Sequence, residues 1–599
     1  MRFDAPENVR APWLRFYGKV PAHLDYPEGS MMDAVMAVAQ RQPDTVAYTF
    51  QGVRTTYRQM VEQAHRVARA FAAAGVKKDD RVTVCLPNCP QAVLCFYGLN
   101  LIGAVATMIH PLSSVGEIAF YLRDSGSRVA VTLDQFYGKF QEVMREQPLD
   151  RLVVATVGDA LSPLLRAGYW LTQGRKLKTP PLAPPAETWR DFLRAGDAYE
   201  QPYLVRRAAE DPAVILFSGG TTGVTKGILL SNLNFNALGT QTIAMATTFE
   251  PGQSMLAAMP IFHGFGLGVC IHTILIAGGT SILVPRVSVE SYARLLKKEQ
   301  PTYIAGVPTL FEGITRNPYM REVNLACLRG VFSGGDSLSI ELKKKFDLFL
   351  REHGATVQVR EGYGTTECVT ASCLTPYDMY REGSIGLPFP DTYYKIVRTG
   401  TTDELPYGQE GEICLTGPSM MLGYVNQPEE TANAMRVHPA DGLTWVHTGD
   451  LGYMDEDGFV YFRQRIKRMI VTSGYNVYPS QLENIIDAHE AVQMSCVIGV
   501  PDSYKMQKVK AFIVLRDGVA GTPELMESML RCTPGSASVL GLAYDTERRV
   551  RLVMDRAVHD AAWFGCHPCK NDASLRLRTE DLLHVFLPHT GHDVTVVDL

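Results

Sequence analysis

The stretch that most constrains this 599-residue chain is a loop rich in glycine and threonine. Residues 218–227 read SGGTTGVTKG and follow the apolar run AVILF, which is typical of a buried strand. Glycines let backbone N–H groups approach an anion closely, and the hydroxyls of the serine and threonines add donors. Lys226 adds a mobile positive charge. The sequence therefore predicts a cradle for the phosphates of a nucleotide such as ATP.

The spacing of this loop disfavours one large class of nucleotide-binding proteins. In a Walker loop a serine or threonine directly follows the lysine, whereas Gly227 follows Lys226 here. A motor ATPase or a GTPase is therefore disfavoured. Considered alone, a loop of this composition also fits an ordinary linker, so the rest of the chain has to decide between the two interpretations.

Composition and charge indicate a globular chain with ample apolar material for its cores. Apolar residues make up 46% and charged residues 20% of the sequence, and the formal net charge is −5. This balance gives no overall attraction to nucleic acid or to anionic lipid. No secretion signal is evident at the N-terminus, and the twelve cysteines are scattered through apolar runs, as reduced thiols are. We predict a cytoplasmic protein.

One segment suggests a peripheral contact with a membrane. Residues 161–178, LSPLLRAGYWLTQGRKLK, mix leucines and aromatic residues with basic residues, a composition that suits a bilayer interface. A surface helix before the proline-rich stretch TPPLAPPAETW is the alternative. The apolar run 259–284 carries two histidines and several glycines, and it is interpreted as buried core rather than as a membrane span.

The order of apolar patterns along the chain predicts the fold class. Strand-like and helix-like patterns alternate between about residues 31 and 332, which predicts parallel sheets with helices on both faces. Ligands of such sheets bind at the carboxyl ends of the strands, where the glycine- and threonine-rich loop falls. Between about residues 383 and 462, short strands separated by glycine, proline and aspartate turns predict a small β-barrel.

Seven further motifs accompany the loop in sequence order. They are PIFHGFGL (260–267), GVPTLF (306–311), LRGVFSGGDSL (328–338), REGYGTTE (360–367), GEICLTGPSMMLGY (411–424), WVHTGDLGYMDEDGF (445–459) and SGYNVYPSQLE (473–483). With the loop, they resemble the signature of the adenylate-forming superfamily, which contains acyl-CoA ligases, luciferases and peptide-synthetase adenylation domains. The opening PWLRFYGKVPAHLDYP resembles bacterial long-chain acyl-CoA ligases. The resemblance covers about residues 10–530.

The resemblance implies an α/β fold with a large N-terminal domain of two doubly wound parallel sheets plus the small β-barrel. We assign an adenylation domain to residues 1–463, with sub-parts at about 30–205, 206–382 and 383–463. A truncated α+β lid domain follows at residues 464–530. The family's lid is thought to swing about a hinge, which Lys467 would provide. Glutamine stands at position 464, where family members usually have glycine, and this would stiffen the hinge.

The activity that the resemblance implies joins a carboxylic acid to a thiol in two steps. ATP first converts the acid into an acyl-adenylate, which exchanges a poor leaving group for a good one. The thiol of CoA, or of an acyl-carrier protein, then attacks the acyl carbon. ATP, Mg²⁺ and CoA are the implied cofactors, and the implied protein is an AMP-forming acid–thiol ligase.

The family assigns roles to residues that match its motifs. Lys226 and the loop hydroxyls would hold the β- and γ-phosphates, Thr366 the α-phosphate and Glu367 the Mg²⁺ ion. The candidate catalytic residues are Lys226, His263, Thr366 and Glu367. Taken singly, Glu367 also fits a helix cap and His263 a satisfied core histidine.

The adenosine contacts are assigned in the same way. Tyr363 would stack on adenine, and Asp450 would accept both ribose hydroxyls while Arg465 approaches the sugar from the other side. Taken singly, Asp450 also fits an ordinary turn. The candidate nucleotide-binding residues are Ser218, Gly219, Gly220, Thr221, Thr222, Gly223, Gly334, Gly335, Asp336, Gly362, Tyr363, Gly364, Asp450 and Arg465.

The acid substrate is inferred from what its pocket lacks. Amino-acid adenylation domains carry an aspartate near the helix after PIFH, but FGLGVCIHTILIAGG contains no acid. Glycines and apolar side chains here predict an apolar tunnel. We predict a medium- or long-chain fatty acid as substrate. The residues predicted to line the tunnel are His263, Phe265, Gly266, Val307 and Leu310.

The end of the chain departs from the family pattern. Family members end in a motif close to PKTPTGK, whose lysine contacts the reacting carboxylate; here no lysine occurs between Lys510 and Lys570. We therefore expect slow acyl-adenylate formation. Residues 531–599 instead resemble the second half of a YbaK-like aminoacyl-tRNA editing domain, through TPGSASVLGL, a strand pair around DTERRVRLVMD, the pair His567–Pro568, and Asn571.

Several alternatives stay open for this partial α/β tail. A genuine fusion, a gene rearrangement and an error in sequence assembly would each produce the junction. The tail lacks the basic surface expected of a tRNA binder, so tRNA is disfavoured as its partner. The cluster CHPC at 566–569 is a weak zinc signal. The whole chain could alternatively be an editing-hydrolase fusion, or a non-catalytic nucleotide- or lipid-binding remnant.

Overall fold

A computed structural model of the chain describes most of the first 516 residues and four short stretches of the tail. The described residues are 3, 8–172, 180–218, 225–468, 470–472, 475–477, 479–487, 489, 491–502, 506–516, 552–555, 563–566, 575–587 and 594–597. The chain divides into two compact units, residues 1–462 and 463–599. Each unit is described by itself.

The larger unit contains a nine-stranded, mostly parallel sheet. Its strands, numbered in chain order, are β1 (Val46–Phe50), β2 (Val53–Thr56), β10 (Ser254–Ala257), β11 (Thr280–Leu283), β12 (Tyr303–Gly306), β13 (Gly330–Ser333), β14 (Val359–Tyr363), β15 (Cys373–Leu374) and β16 (Leu387–Pro388). The spatial order is β16-β15-β14-β13-β12-β10-β11-β1-β2. The six consecutive strands from β14 to β1 in this order run parallel to one another.

A second, eight-stranded sheet lies in the same unit. Its strands are β3 (Arg81–Cys85), β4 (Val105–Met108), β5 (Val129–Leu133), β6 (Arg151–Ala155), β7 (Ala186–Thr188), β8 (Pro212–Phe217), β9 (Gly227–Ser231) and β19 (Gly423–Tyr424). Their order is β19-β9-β8-β4-β3-β5-β6-β7, with β8 to β7 parallel and β9 and β19 antiparallel at one edge. Two mostly parallel α/β sheets were predicted, and two are found.

The predicted boundary near residue 205 does not divide these sheets. Strand β1, from the first predicted sub-part, pairs with β11 of the second, and β8, from the second, pairs with β4 of the first. The sequence could not reveal this exchange, because strand pairing between remote segments is set by tertiary contacts rather than by local periodicity.

Helices cover the sheets. The longer ones span Met31–Arg41, Tyr57–Ala73, Pro90–Leu101, Val115–Ser125, Tyr137–Glu146, Pro163–Thr172, Trp189–Asp197, Asn232–Ala246, Val289–Glu299, Pro308–Arg316 and Ile340–Glu352; a nine-residue π-helix spans Phe265–Thr273 and continues as Ile274–Ile276. Capping explains several starts: Ser231 Oγ accepts the Asn234 N–H at 3.2 Å, which fixes the helix that follows β9. Helix Pro90–Leu101 is buried all round; it carries no charged residue, and the side chains of its Gln91 and Asn100 donate hydrogen bonds to Thr156 and Asn232.

The predicted small β-barrel is a five-stranded antiparallel sheet. It contains β17 (Tyr393–Val397), β18 (Gly411–Thr416), β20 (Met435–Val437), β21 (Thr444–Met454) and β22 (Val460–Arg465), in the order β17-β18-β21-β20 with β22 also on β21. Over the described residues these pairings do not close into a ring. Its buried side chains, among them Trp13, Trp445 and Phe459, form a core distinct from that of the large sheets.

The second unit contains a four-stranded sheet and two short strand pairs. The sheet has the order β24-β23-β26-β25, from β23 (Ile470–Thr472), β24 (Tyr475–Val477), β25 (Val492–Asp502) and β26 (Met506–Leu515), with helix Pro479–Asp487 packed on β25. In the tail, β27 (Leu552–Asp555) pairs parallel with β30 (Val594–Val597), and β28 (Trp563–Cys566) pairs antiparallel with β29 (Leu575–Arg578). Within the described parts of the chain, no helix has the length and apolar character needed to cross a membrane.

Candidate active site

The predicted phosphate loop joins two antiparallel strands at the edge of the eight-stranded sheet. Phe217 at the end of β8 pairs with Gly227 at the start of β9. The Ser218 N–H donates to the Lys226 carbonyl at 3.0 Å, and the Lys226 N–H donates to Ser218 Oγ at 3.4 Å. The loop therefore begins and ends at a closed hairpin neck. Residues 219–224, which include five of the candidate phosphate contacts, lie outside the described residues.

The Lys226 side chain contacts an acidic and an aromatic residue from a remote part of the chain. Its Nζ contacts the carboxylate of Glu430, in helix Pro428–Ala434, and lies 4.6 Å from the centre of the Tyr424 ring. Glu430 is 49% exposed, so this ion pair is of the weak surface kind. The cation is held at the neck of the loop without being committed to a buried partner.

Tyr424 connects Lys226 to the candidate metal ligand Glu367. The Tyr424 hydroxyl donates to Glu367 Oε1 at 2.7 Å, and the Glu367 carbonyl accepts the Met421 N–H at 2.7 Å. Burial, together with the Glu367 charge, raises the pKa of Tyr424, so the hydroxyl stays a donor. Thr366 and Glu367 begin a short helix, Thr366–Cys368, directly after β14. The structure thus brings Lys226, Thr366 and Glu367 to one end of the sheets.

Tyr363 and Asp450, the predicted adenosine contacts, are joined directly. The Tyr363 hydroxyl donates to Asp450 Oδ2 at 2.7 Å, although the residues are 87 positions apart. Asp450 is buried on β21, and its N–H donates to Thr448 Oγ1 at 3.1 Å. Burial and the Asp450 charge raise the pKa of Tyr363. An ordinary exposed turn aspartate, the simpler interpretation of Asp450, is not what the structure contains.

The glycines after β13 lie against side chains predicted for the acyl tunnel. A Cβ on Gly334 would lie 3.4 Å from both the Phe265 ring and the Gly362 carbonyl, and one on Gly335 would lie 3.4 Å from Val307 Cγ1. Gly335 has φ +81°, which disfavours any other residue. Asp336 follows at an exposed position. Two glycines of the candidate nucleotide site therefore lie beside Phe265 and Val307 of the predicted acyl lining.

His263 is exposed to solvent within a crevice at the start of the π-helix. Its Nδ1 accepts the Phe265 N–H at 3.1 Å, which fixes the proton of a neutral ring on Nε2. Although its surface reaches solvent, neighbouring protein atoms desolvate the ring and lower its pKa. The alternative of a satisfied core histidine does not describe His263; His272 fits it, since Tyr97 and Asn236 hold both of its ring nitrogens at 3.0 Å.

Two glycines allow the segments of the site to touch through their backbones. A Cβ on Gly264 would lie 1.8 Å from the Val369 carbonyl oxygen, and one on Gly364 would lie 1.9 Å from that of Thr370. Val369 itself has φ +67° and ψ −57°, and the Thr370 N–H donates across it to the Cys368 carbonyl at 2.8 Å. This is a γ-turn of the rare, strained kind.

An apolar cavity lies beside the π-helix. None of the five residues predicted to line the tunnel borders it, although Gly266 lies on the same helix as three of its lining residues. Periodicity could not find these residues because they come from five separate segments of the chain. The cavity is lined by Thr242, Ile243, Ala246, Phe249, Met255, Val269, Thr273, Ile274, Tyr303 and Phe332.

The remaining candidates belong to the second unit. Arg465 ends β22, and Lys467 lies in the short helix Ile466–Arg468; both are exposed, and Gln464 is buried. The tail candidates His567, Pro568, Cys569 and Asn571 lie outside the described residues.

Sequence reasoning missed two residues of the site. Tyr424 closes one of the recognised motifs but was given no role, and Glu430 follows in an acidic helix start that carries no signal of its own. Only the fold reveals them, because they contact Lys226 across 198 and 204 positions respectively.

Two protein-family models match the chain. A model described as AMP-binding enzyme matches residues 35–425, and a model described as aminoacyl-tRNA editing domain matches residues 486–585. The second match begins upstream of residue 531, where the tail was predicted to start, and within the predicted lid.

Curated proteins and solved structures resemble most of the chain. A long-chain-fatty-acid–CoA ligase of Bacillus subtilis is 33% identical over 538 residues, covering 87% of this chain and 92% of that protein. One of Escherichia coli is 32% identical, covering 87% and 91%. The structure of an ATP-bound RpMatB-BxBclM chimera superposes with a TM-score of 0.73 at 25% identity, covering 84% and 92%. The anthranilate CoA ligase AuaEII with anthranoyl-AMP gives 0.72 at 22% identity, covering 86% and 91%, and supports the fold.

Proposed function

This chain belongs to the AMP-binding enzyme family, and from that premise we propose that it is an AMP-forming acid–CoA ligase acting on medium- or long-chain fatty acids. It activates the acid with ATP as an acyl-adenylate and transfers the acyl group to the thiol of CoA. The observation that carries the proposal is the meeting of Lys226, Tyr424 and Glu367 at the neck of the phosphate loop. Similarity to long-chain-fatty-acid–CoA ligases over most of both chains supports it.

Lys226 and the backbone N–H groups of its loop offset the negative charge of the triphosphate. Three phosphate groups bring several negative charges to one point, and a mobile ammonium group offsets part of that charge. Tyr424 lies flat against the ammonium group and shields it from water on one side. Lys226 must leave Glu430 to reach a phosphate, and their exposed ion pair makes this exchange easy.

Glu367 fits the Mg²⁺ ion that the family implies. Its half-buried carboxylate is oriented by the Tyr424 hydroxyl at 2.7 Å, and carboxylate oxygen is the ligand that Mg²⁺ prefers. When bound, the ion supplies positive charge to the phosphates. Glu367 would hold that positive charge at the neck of the loop. The hydrogen bond from Tyr424 limits the rotation of the Glu367 carboxylate.

Asp450 and Tyr363 position the adenosine. An ionised carboxylate buried on β21 accepts two hydroxyl donors, which suits the vicinal hydroxyls of ribose. The hydrogen bond from Tyr363 to Asp450 holds the aromatic ring so that its face is fixed for adenine. Gly334 and Gly335 then leave room for the base beside Phe265 and Val307.

An acid-dependent exchange assay tests the proposed function. Labelled pyrophosphate is followed into ATP with fatty, aryl and amino acids in parallel, and release of CoA thioester is measured with the same acids. Exchange and thioester formation with acids of medium to long chain length are expected, with at least tenfold lower rates for aryl and amino acids. Exchange with amino acids alone, or ATP binding without any exchange, would refute it.

The editing-domain match favours a second candidate function for the tail. A hydrolase of mischarged aminoacyl-tRNA is suggested by the match over residues 486–585. The full chain is tested for release of amino acid from a set of mischarged tRNAs. Release of amino acid above the level seen with heat-inactivated protein supports editing. If no tRNA in the set loses its amino acid, the editing function is refuted and the ligase function remains.

A peripheral membrane contact is the further part of the proposal. Helix Pro163–Thr172 exposes an apolar surface, with Leu164 83%, Trp170 58% and Leu171 60% exposed, and basic residues follow it in the sequence. Co-sedimentation with vesicles containing anionic lipid is expected to fall at least fivefold in a Leu164→Glu, Leu171→Glu variant. The control Leu204→Glu alters a leucine that is 58% exposed elsewhere and keeps the binding. Equal loss in both variants, or no binding by the unaltered chain, contradicts the contact.

A further inference from the structure

Three side chains with metal-binding atoms meet inside the five-stranded sheet. Cys414 on β18 lies directly opposite His447 on β21, and His438 follows β20, which pairs with the other edge of β21. The ligand atoms of the three residues all lie within 4.8 Å of one another. All three side chains are buried, with His438 and Cys414 at 0% exposure. None of them has a role in the ligase site described above.

The two imidazoles face each other through their Nε2 atoms. The separation of His438 Nε2 and His447 Nε2 is 2.9 Å. Glu412 Oε2 lies 2.9 Å from His447 Nδ1, so the carboxylate holds the ring proton on Nδ1 and leaves a lone pair on Nε2. This carboxylate–histidine pairing is the arrangement that orients histidine ligands in metal sites.

The distances require only a small adjustment to admit an ion. Zinc–nitrogen bonds of about 2.0–2.1 Å with tetrahedral angles set two ligand nitrogens roughly 3.3 Å apart. The rings therefore need to open by about 0.4 Å from the observed 2.9 Å. His447 lies on β21 and His438 directly follows the three-residue β20, and a change of this size needs only a small rotation of a ring.

The charges around the cluster also call for a cation. Glu412 is 6% exposed, and its Oε1 accepts the Gly449 N–H at 3.1 Å, so its negative charge is buried. The neighbouring cation Lys395 is already matched by Asp441 at 2.6 Å. A divalent ion bound to the Cys414 thiolate would balance both that thiolate and Glu412, and the buried charges would then sum to zero.

We propose that Cys414, His438 and His447 bind one Zn²⁺ ion, with Glu412 as the outer carboxylate that orients His447. Sulfur and imidazole nitrogen are the donors that zinc favours. On binding, the Cys414 thiol releases its proton to solvent and the sulfur forms the bond to zinc. The ion links β18, β20 and β21, and it thereby holds the segment of β21 that carries Asp450 three residues beyond His447.

Metal content of the full chain tests the site directly. The protein is expressed with zinc in the medium, purified without chelator, and assayed by mass spectrometry of the metal. About one zinc per chain is expected, and refolding with cobalt in place of zinc is expected to give a thiolate-to-cobalt charge-transfer band. Less than about one tenth of an ion per chain after zinc-supplemented refolding overturns the proposal.

Two variants separate this site from adventitious zinc. Cys414→Ala is expected to hold less than one fifth of the unaltered metal content and to lose the cobalt band. Cys373→Ala, a cysteine in the same core that is also 0% exposed, is the matched control and keeps both. If Cys414→Ala does not fold, His438→Asn serves in its place. Retention of zinc in the folded cluster variant, or equal loss in the control, contradicts the site.

Discussion

At the scale of single residues, Lys226 has two competing partners. Glu430 contacts its ammonium group, and the proposed phosphates have to displace that carboxylate. An ion pair with one partner 49% exposed is worth about 0–1 kcal/mol, which corresponds to at most about a fivefold change in affinity. The Lys226–Glu430 ion pair therefore weakens ATP binding only modestly and does not prevent it.

Removing Lys226 and removing the charge of Glu430 should have opposite effects on the reaction. Lys226→Ala is expected to lower the rate of acid-dependent pyrophosphate exchange by about 10²–10³, the usual cost of losing a cation at the charge of a transition state. Glu430→Gln is expected to lower the KM for ATP two- to fivefold with little change in kcat. Glu429→Gln, at the adjacent exposed position, is the control and should leave both constants unchanged. A rise of KM in Glu430→Gln would show that the carboxylate assists ATP binding.

Glu361 gives the site a pH-dependent stability. Burial raises its pKa from 4.5 to about 7, and its Oε1 accepts the Leu338 N–H at 3.0 Å. The folded chain keeps a proton that the unfolded chain releases above about pH 4.5. The contribution of Glu361 to stability is therefore full below about pH 4.5 and falls until about pH 7, above which the buried carboxylate is ionised and a constant cost remains.

A glutamine at position 361 should remove this dependence. Between pH 5 and pH 8, the unaltered chain is expected to lose on the order of 2–3 kcal/mol relative to Glu361→Gln. The measurement is the thermal midpoint of both proteins across this pH range, with Glu62→Gln at an exposed helix position as control. A difference between the two midpoints that does not change with pH would contradict the raised pKa.

At the scale of elements, the π-helix and the γ-turn pack backbone against backbone. Gly264 begins the helical segment, and the Val369 carbonyl occupies the space where a side chain would start. π-helical turns and positive φ values at β-branched residues are both uncommon, and both tend to occur at functional sites. The site is thus assembled from two locally unfavourable segments that support each other.

A methyl group at Gly264 should separate these two segments. Gly264→Ala is expected to destabilise the protein by about 1–3 kcal/mol or more, because a Cβ at 1.8 Å from an oxygen forces the backbone to move. Gly138→Ala, in helix Tyr137–Glu146 with no atom within 4 Å of the added Cβ, should be neutral or stabilising by about 0.5–1 kcal/mol. The thermal midpoint and the pyrophosphate-exchange rate are measured for both. Equal midpoints in the two variants would mean that the close contact yields without cost.

At the scale of the whole molecule, the missing lysine motif is expected to affect the rates of the two half-reactions differently. The chain has no lysine between Lys510 and Lys570, and loss of a positioned cation at the reacting carboxylate costs about 10²–10³ in rate. Acyl-adenylate formation is therefore expected to be slow, while thioester formation from supplied acyl-adenylate is nearly unaffected. Single-turnover measurements of each step check this, with the Escherichia coli ligase as reference. Similar reductions in both steps, or none in either, would contradict it.

Much of the fold followed from local patterns, and the exchange of strands did not. Alternating strand and helix patterns predicted parallel sheets, because neighbouring residues carry the helix and strand periods, and the family resemblance implied two such sheets. The pairing of β1 with β11, and of β8 with β4, joins segments more than 100 positions apart. Such pairings depend on which apolar faces meet in three dimensions, so local patterns could not reveal that strands on either side of residue 205 pair with each other.

The sequence by itself determined the family, the phosphate loop and the chemistry of its residues. Glycine, threonine and lysine in that order specify backbone freedom, donors and charge, and these properties belong to the residues wherever they are placed. Only the tertiary structure decided that Lys226 meets Tyr424 and Glu430, that Tyr363 meets Asp450, and that Cys414, His438 and His447 share one buried point. The physical reason is that hydrogen bonds and ion pairs act over a few ångströms in space, whereas local sequence patterns report only on neighbours along the chain.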